Sequence, residues 1–464
     1  MAYETIIHGG TLVYPDQCIR ADLAISKQRI VAVGRQLTRL AGPRTTLIDA
    51  RGCYVLPGLI DAHTHLDLGT GRGRTCDDFE SGTRAAACGG VTTVIDFAHA
   101  EAGQSLLEGL AAWHAKAAGR ACVDYAFHMA ITDWPRQRRH VSRVIEQGVT
   151  TFKQYMIYAE RGLRSDDAQV YEALELLRDL GALLLVHAES QELLDLFTRR
   201  CHTPEMMRRH GAYLHTLARP HVVETVAVER LISLASAARS AVYVVHVSTA
   251  ESAALIRAAR QAGWPILGET CPQYLVLTDQ TLRRPDGHLY TCSPQPKTAA
   301  DRRALWQALG DGTFDVVSTD SCSFSRKQKD AWRGDWTRLP MGMPGVETLL
   351  PLMYTLGVRR RRISINRLVE LCCANPARLM GLAPQKGSLS AGADADVVIV
   401  PRTWTRVVDW RRLHGRCDWS PYQGLRLAGF PRDVLLRGAV VVRNHRFIGR
   451  PGGGQFVPRD LPRI

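Results

Sequence analysis

The chain has 464 residues, of which 45% are hydrophobic and 22% charged. That balance excludes a disordered or collagen-like polymer and leaves room for one large domain with a smaller companion. Its longest apolar runs, at 182–186 and 397–400, fall far below the roughly 18 residues of a membrane span. No basic start leads into an apolar core, so no secretory signal is expected, and the cytoplasm is the expected location.

Twelve cysteines without a C-x-x-C pair read as reduced, mostly buried thiols rather than a disulfide scaffold. The adjacent Cys372 and Cys373 are expected in the core. The net charge of +14 favours anions near the surface. The densest basic run, 359–362, is accompanied by no zinc finger, RNA-recognition signature or basic helix, so it reads as a solvated face with no nucleic-acid partner.

In chain order, the first 50 residues break into short strand-like runs at 3–8, 11–14, 21–26 and 29–33, separated by turn residues. The same texture returns at 395–400, 434–436 and 439–443. Between them lie eight apolar runs, at 58–62, 92–97, 125–131, 149–155, 183–187, 242–247, 265–269 and 315–319. Near-continuous apolar runs suit parallel strands buried on both faces. Helical patterns separate most of them, at 81–88 (stopped by Gly89-Gly90), 104–118, 168–180, 224–238 and 249–262. The expected fold is therefore α/β: a (β/α)8 barrel over 55–386, whose site lies at the carboxyl ends of the strands. A smaller β-sandwich is expected from 1–54 and 387–445. The irregular tail, 446–464, is rich in Arg, Pro and Gly and is expected to contact a neighbouring subunit.

The candidate ligands fall on one rim of that frame. His63 and His65 end the first strand as H-x-H, and residues two apart on a strand face the same way. His187, His246 and Asp320 end the fifth, sixth and eighth strands, and Lys153 sits inside the apolar fourth. A lone His after an apolar strand is more often a packed core residue; a pair on one strand, joined by two more imidazoles and a carboxylate, suits a pair of divalent transition metals. A lysine beside two cations would be repelled unless chemically altered. His99 and His128 belong to no pair and read as lining or structural.

Several segments resemble the dihydropyrimidinase/hydantoinase branch of the cyclic amidohydrolases: GLIDAHTH at 58–65, TFKQYMIY at 151–158, HAE at 187–189, HVS at 246–248, YLHTLARP at 213–220, ETCPQYL at 269–275, PGVE at 344–347, NPARLMGL at 375–382 and DWSPYQG at 418–424. The resemblance spans nearly the whole chain. It implies hydrolysis of the cyclic amide of dihydropyrimidines or 5-substituted hydantoins to N-carbamoyl amino acids. It implies two divalent metals, usually zinc, held by His63, His65, His187, His246 and Asp320. Lys153 would be carboxylated by CO2 to a carbamate that bridges them, with a bridging hydroxide as nucleophile. Tyr158 then matches the family's oxyanion tyrosine, and Asp320 its proton carrier. Ser293 and Met341 match positions that hold the substrate through the main chain. A small cyclic ureide or imide partner and a homotetramer are implied too.

The departures concern the substrate. Where the family has an aromatic-bearing loop after His65, this chain has Leu68 to Arg74, with Arg72 and Arg74 added, and these could meet an acidic substituent. Ser321 follows Asp320 in place of a frequent His, and Met341 replaces an Asn. An allantoinase- or dihydroorotase-like activity is the alternative. A non-catalytic scaffolding relative would lack the His and Lys set, which is intact here.

Overall fold

The computed structural model describes residues 3–70 and 73–464. Its centre is an eight-stranded parallel sheet, labelled β1 (Leu59–Thr64), β2 (Val91–Ala98), β3 (Asp124–Ala130), β4 (Thr151–Tyr155), β5 (Leu183–His187), β6 (Val242–Val244), β7 (Ile266–Thr270) and β8 (Val316–Val317), each paired with its sequence neighbour. The ends of the sheet meet: Thr64 bridges Ser321 in parallel, and the His65 amide donates to the Ser321 carbonyl at 2.9 Å. All eight apolar runs are thus strands of a barrel. Alternate residues fill its interior, with Ile60 and Ala62, Ile95 and Phe97, Leu183 and Leu185, and Tyr243 and Val245 in one buried cluster.

The helices lie where the patterns place them. Phe79–Cys88, Leu106–Ala117 and Asp167–Asp179 each begin on a capping box, with Asp78, Ser105 and Asp166 accepting from the backbone N–H three residues on. His221–Ala237 and Ala250–Gln261 follow β5 and β6.

Both chain ends build a second, nine-stranded sheet, in which Val397–Pro401 pairs antiparallel with Cys53–Pro57. Its apolar face gathers Ile7, Leu12, Leu23, Val55, Val397, Ile399 and Leu435. The two runs expected at 3–8 and 11–14 form one strand, Thr5–Val13, because Gly9 and Gly10 make an irregularity rather than a turn. Gly9 has φ +74, and a Cβ on Gly10 would lie 2.6 Å from Val55 Cγ2. Thr5–Val13 pairs in parallel with both Thr46–Asp49 and Cys53–Pro57, so the sheet forks there.

The floor of the barrel is sealed from within. The tail, expected to contact a neighbouring subunit, also packs against its own chain. Val457 joins the barrel-interior cluster, its amide donates to the Tyr125 carbonyl at 2.8 Å, and the buried Arg459 donates to the carbonyls of Phe127 and Met380. Beside it, buried Lys386 meets Asp124 at 2.5 Å, Asp396 at 2.8 Å and Asp394 at 2.9 Å, and Arg437 also pairs with Asp124. The three carboxylates cluster as metal ligands would, but the lysine ammonium fills the centre. Barrel, second sheet and tail meet at this one network. Lys386→Met would leave three buried carboxylates short of their shared cation, at a cost of roughly 3–5 kcal/mol, read as a lower urea midpoint with an unchanged m-value.

Among the described residues no helix is long and apolar enough to cross a membrane. All the described cysteines are free, and Cys372 and Cys373 are fully buried. Arg359 to Arg362 are exposed.

Candidate active site

The candidate side chains converge at the carboxyl ends of the strands. His63 lies in β1 and His65 one residue beyond it, and the two-residue period turns both rings toward Asp320. Their Nε2 atoms lie 3.2 and 3.1 Å from Asp320 Oδ1. The imidazoles form a chain, with ring centroids 5.2 Å apart for His65 and His63, 5.4 Å for His63 and His246, and 4.5 Å for His246 and His187. Tyr158 stands edge-on to His187 at 5.3 Å. Lys153 Nζ projects from β4 between the rings of Phe97 and Tyr155, at 5.2 and 5.3 Å. These residues, with Ser293 and Met341, border one cavity of about 310 Å³. The structure therefore brings together every site residue singled out in the sequence.

Three of them sit on unusual backbone. Tyr158, His246 and Asp320 have φ of 72°, 40° and 50°, in the left-handed region. β6 and β8 stop short of His246 and Asp320, and the left-handed turn swings each side chain inward. Such positions cost on the order of 1–3 kcal/mol each and cluster where function over-rides local comfort.

The electrostatics are uneven. Burial alone would make His63 neutral, but Glu269 and Asp320 carry it up to about 9. Burial holds the other three imidazoles down, His246 most, with His187 adding repulsion. Burial also pushes Asp320 up, but the His63 and His65 charges and hydrogen bonds outweigh it and hold the carboxyl well below the ordinary range. Lys153 is 1% exposed, and burial brings its amine down to about 7.

The donor set fits a divalent metal centre. The ligand atoms of His63, His65 and Asp320 lie within 4.8 Å of one another. His65 Nδ1 and Lys153 Nζ are buried with no hydrogen-bond partner, an expensive arrangement for polar atoms unless something else satisfies them.

Two carboxylates behind the rings were not singled out in the sequence. Glu269 Oε1 lies 2.8 Å from His63 Nδ1 and accepts from the His246 amide at 3.1 Å, while Oε2 accepts from the Tyr243 hydroxyl at 3.0 Å. Glu189 Oε2 lies 2.8 Å from His187 Nε2, and its Oε1 is 3.2 Å from Arg219. Burial opposes ionisation of Glu189, but Arg219 and His187 bring it to about 2. The available signal was a glutamate closing a buried apolar strand, which requires a partner.

The loop departures resolve differently. Arg72 lies outside the described residues. Arg74 is spent on Asp67, at 2.6 Å, and Leu68 and Thr70 border the cavity instead. The remaining wall includes Arg161, Leu163, Leu194, Trp336 and Leu339, none of them anticipated. His99 lines the cavity; His128 is structural, held between Thr151 Oγ1 and the Ala62 carbonyl.

Residues 54–415 match the sequence profile of the amidohydrolase family. A D-hydantoinase of Geobacillus stearothermophilus is 40% identical over 463 residues, 98% of this chain and 96% of that protein. A D-phenylhydantoinase of Escherichia coli is 38% identical over 462 residues, 98% of each chain. The crystal structure of dihydropyrimidinase from Brevibacillus agri superposes with a TM-score of 0.95 at 37% identity, covering 99% of each chain. With its barrel and histidine-rich rim, the chain belongs to the amidohydrolase family. Within that family it is a cyclic amidohydrolase of the D-hydantoinase and dihydropyrimidinase group. Membership implies use of divalent metal.

Glu269 is the leading favourable charge on His63. In the metal-free protein, Glu269→Gln should lower the His63 pKa from about 9, read by histidine-selective NMR titration, while His187 stays unmoved.

Proposed function

We propose that the protein hydrolyses the ring amide of dihydropyrimidines or 5-substituted hydantoins, releasing N-carbamoyl amino acids. The observation that carries this reading is the meeting of His63, His65, Lys153, His187, His246 and Asp320 at one cavity, in a chain 40% identical throughout to a D-hydantoinase. His63, His65 and Asp320 would hold one divalent cation and His187 and His246 a second, with Lys153 as a CO2-derived carbamate shared by both. Four imidazoles and a carboxylate suit zinc. When bound, such ions polarise a carbonyl and make water a nucleophile at neutral pH.

The residues of the chain supply the rest. Lys153, buried and unpartnered, has an amine near neutrality that can add to CO2, losing a proton and becoming an anion. Burial keeps the Tyr158 hydroxyl protonated, so it donates a hydrogen bond to the amide oxygen as negative charge develops there. Asp320 takes the proton of the attacking water and returns it to the departing ring nitrogen. Ser293 and Met341 hold the ring through their main chains. Leu163, Leu194, Trp336 and Leu339 line the wall beside Arg161, and their apolar surface suits an uncharged alkyl or aryl substituent. With Arg74 paired to Asp67, an acidic substituent gains no partner there. The same reading carries a homotetramer in the cytoplasm, and light scattering tests the assembly.

The deciding experiment compares kcat/KM on zinc- and bicarbonate-supplied enzyme for dihydrouracil, hydantoin, 5-phenylhydantoin, allantoin and dihydroorotate. Dihydrouracil or a neutral hydantoin should lead; a lead by allantoin or dihydroorotate would overturn the substrate assignment. Lys153→Ala should lower kcat at least about 10³-fold, and short carboxylates such as propionate should partly restore it. Because the neutral amine is the reactive form, reconstitution of metal-free enzyme at fixed dissolved CO2 should quicken as pH rises through about 7 and level off above it. Tyr158→Phe should lower kcat about 10²–10³-fold with a small change in KM.

A further inference from the structure

Two thiols outside the site lie against each other. The Cys417 and Cys76 side chains are neighbours, and both residues are partly exposed. The segments carrying them are locked together on either side. The Cys76 amide donates to the Ser323 carbonyl at 2.9 Å, and the Cys417 thiol donates to the next carbonyl, Phe324, at 3.4 Å. The Arg416 amide donates to Asp77 Oδ1 at 2.7 Å, and the Arg416 guanidinium to Asp78 at 2.7 Å. Cys417 also borders a narrow space of about 30 Å³ beside Asp77 and Trp419, wide enough for a water-sized molecule. Most other cysteines are buried, and Cys18 is exposed.

We propose that Cys76 and Cys417 form a redox-sensitive dithiol, which hydrogen peroxide closes into a disulfide that braces the arm 73–78, tied back to the cavity-lining residues 66–70, against segment 409–424. Residues 66–70 place Leu68 and Thr70 on the cavity wall. The arm, tied back by the Thr75 amide to the Leu68 carbonyl at 3.0 Å, carries Cys76. In the reaction the Cys76 thiolate attacks one peroxide oxygen, the O–O bond breaks, and one water leaves with a sulfenic acid on Cys76. The Cys417 sulfur then attacks the Cys76 sulfur, the S–O bond breaks, and the second water leaves. Two thiols lose two electrons, and the peroxide gains them. The same balance holds with the two thiols exchanged, so one disulfide results whichever sulfur is oxidised first. The closed loop spans most of the chain, which is where a cross-link restricts the unfolded state most.

The test treats the metal-loaded enzyme with a few equivalents of hydrogen peroxide, blocks remaining thiols with iodoacetamide, and maps a non-reduced digest by mass spectrometry. The expected result is a peptide pair joined through Cys76 and Cys417 that dithiothreitol separates. The melting temperature should rise by roughly 5 °C on oxidation, with no rise in Cys76→Ser or Cys417→Ser. Both cysteines alkylated under peroxide that oxidises the exposed Cys18 would overturn the pair, as would separate sulfinic acids on each. A joined pair with unchanged melting would overturn the bracing role.

Discussion

Lys153 is a primary amine in the fully buried strand β4, with two aromatic rings for neighbours and no hydrogen-bond partner. Burying such a group uncompensated is among the costlier things a fold can do. The surroundings make this worse for a cation, because four imidazoles stand at the same mouth. On the proposed function the amine would become an anion and the imidazole nitrogens would face metal ions, which would remove that cost. The groups around the amine are firmly held. Asp320 is held ionised at the centre, His63 is backed by Glu269, and His187 is backed by Glu189, which is itself secured by Arg219. Each imidazole so backed has one nitrogen committed and its ring orientation fixed, which leaves the other nitrogen for a ligand.

Holding these groups in place also bends the backbone. Regular continuation of β6 would turn His246 to the face opposite Val245, which fills the barrel interior. β6 and β8 both stop early, and His246 and Asp320 take left-handed turns, as does Tyr158. The surrounding hydrogen bonds keep the strain from relaxing. The His246 amide is held by Glu269, and the turn before Asp320 is held by the Thr319 amide donating to Asp61 at 3.0 Å. Asp61 is itself fully buried, and burial pushes it up to about 7 despite those bonds. Strain and desolvation are thus concentrated at one end of the barrel, where preorganised groups act on a substrate.

Much of this was legible in the residues. The eight apolar runs stood out because parallel strands buried on both faces need no alternation, and H-x-H is informative because a strand's period is two. The forked strand Thr5–Val13 was misread as two, since Gly9-Gly10 carries the composition of a turn while the chain uses it for a positive φ and a close approach to Val55. Glu269 and Glu189 were hidden because their role depends on neighbours brought in from other strands. The loop cations were open to two readings, since nothing local says that Arg74 would find Asp67 before any ligand. The tail was the hardest to read: 450–464 has no periodicity, and its contacts are backbone hydrogen bonds and a few side chains fitted to the barrel floor.

The two ends of the barrel therefore follow opposite rules. At the floor, the buried carboxylates Asp124, Asp394 and Asp396 are matched by Lys386 and Arg437, Arg459 donates to carbonyls, and Val457 fills the last gap. At the mouth, polar atoms are left unsatisfied and backbone angles are uncomfortable. A chain can tolerate the second only because the first, together with the closed ring of strands, fixes the frame within which the mouth must sit. The +14 charge belongs to neither end: basic runs such as Arg359 to Arg362 lie in solvent, while buried Lys386 is paired and buried Lys329 and Arg459 donate to carbonyls. Selection for stability and selection for chemistry can thus act on separate residues of one barrel, and the interior layers of Ile60, Phe97, Leu185 and Tyr243 between them are what keeps the two coupled.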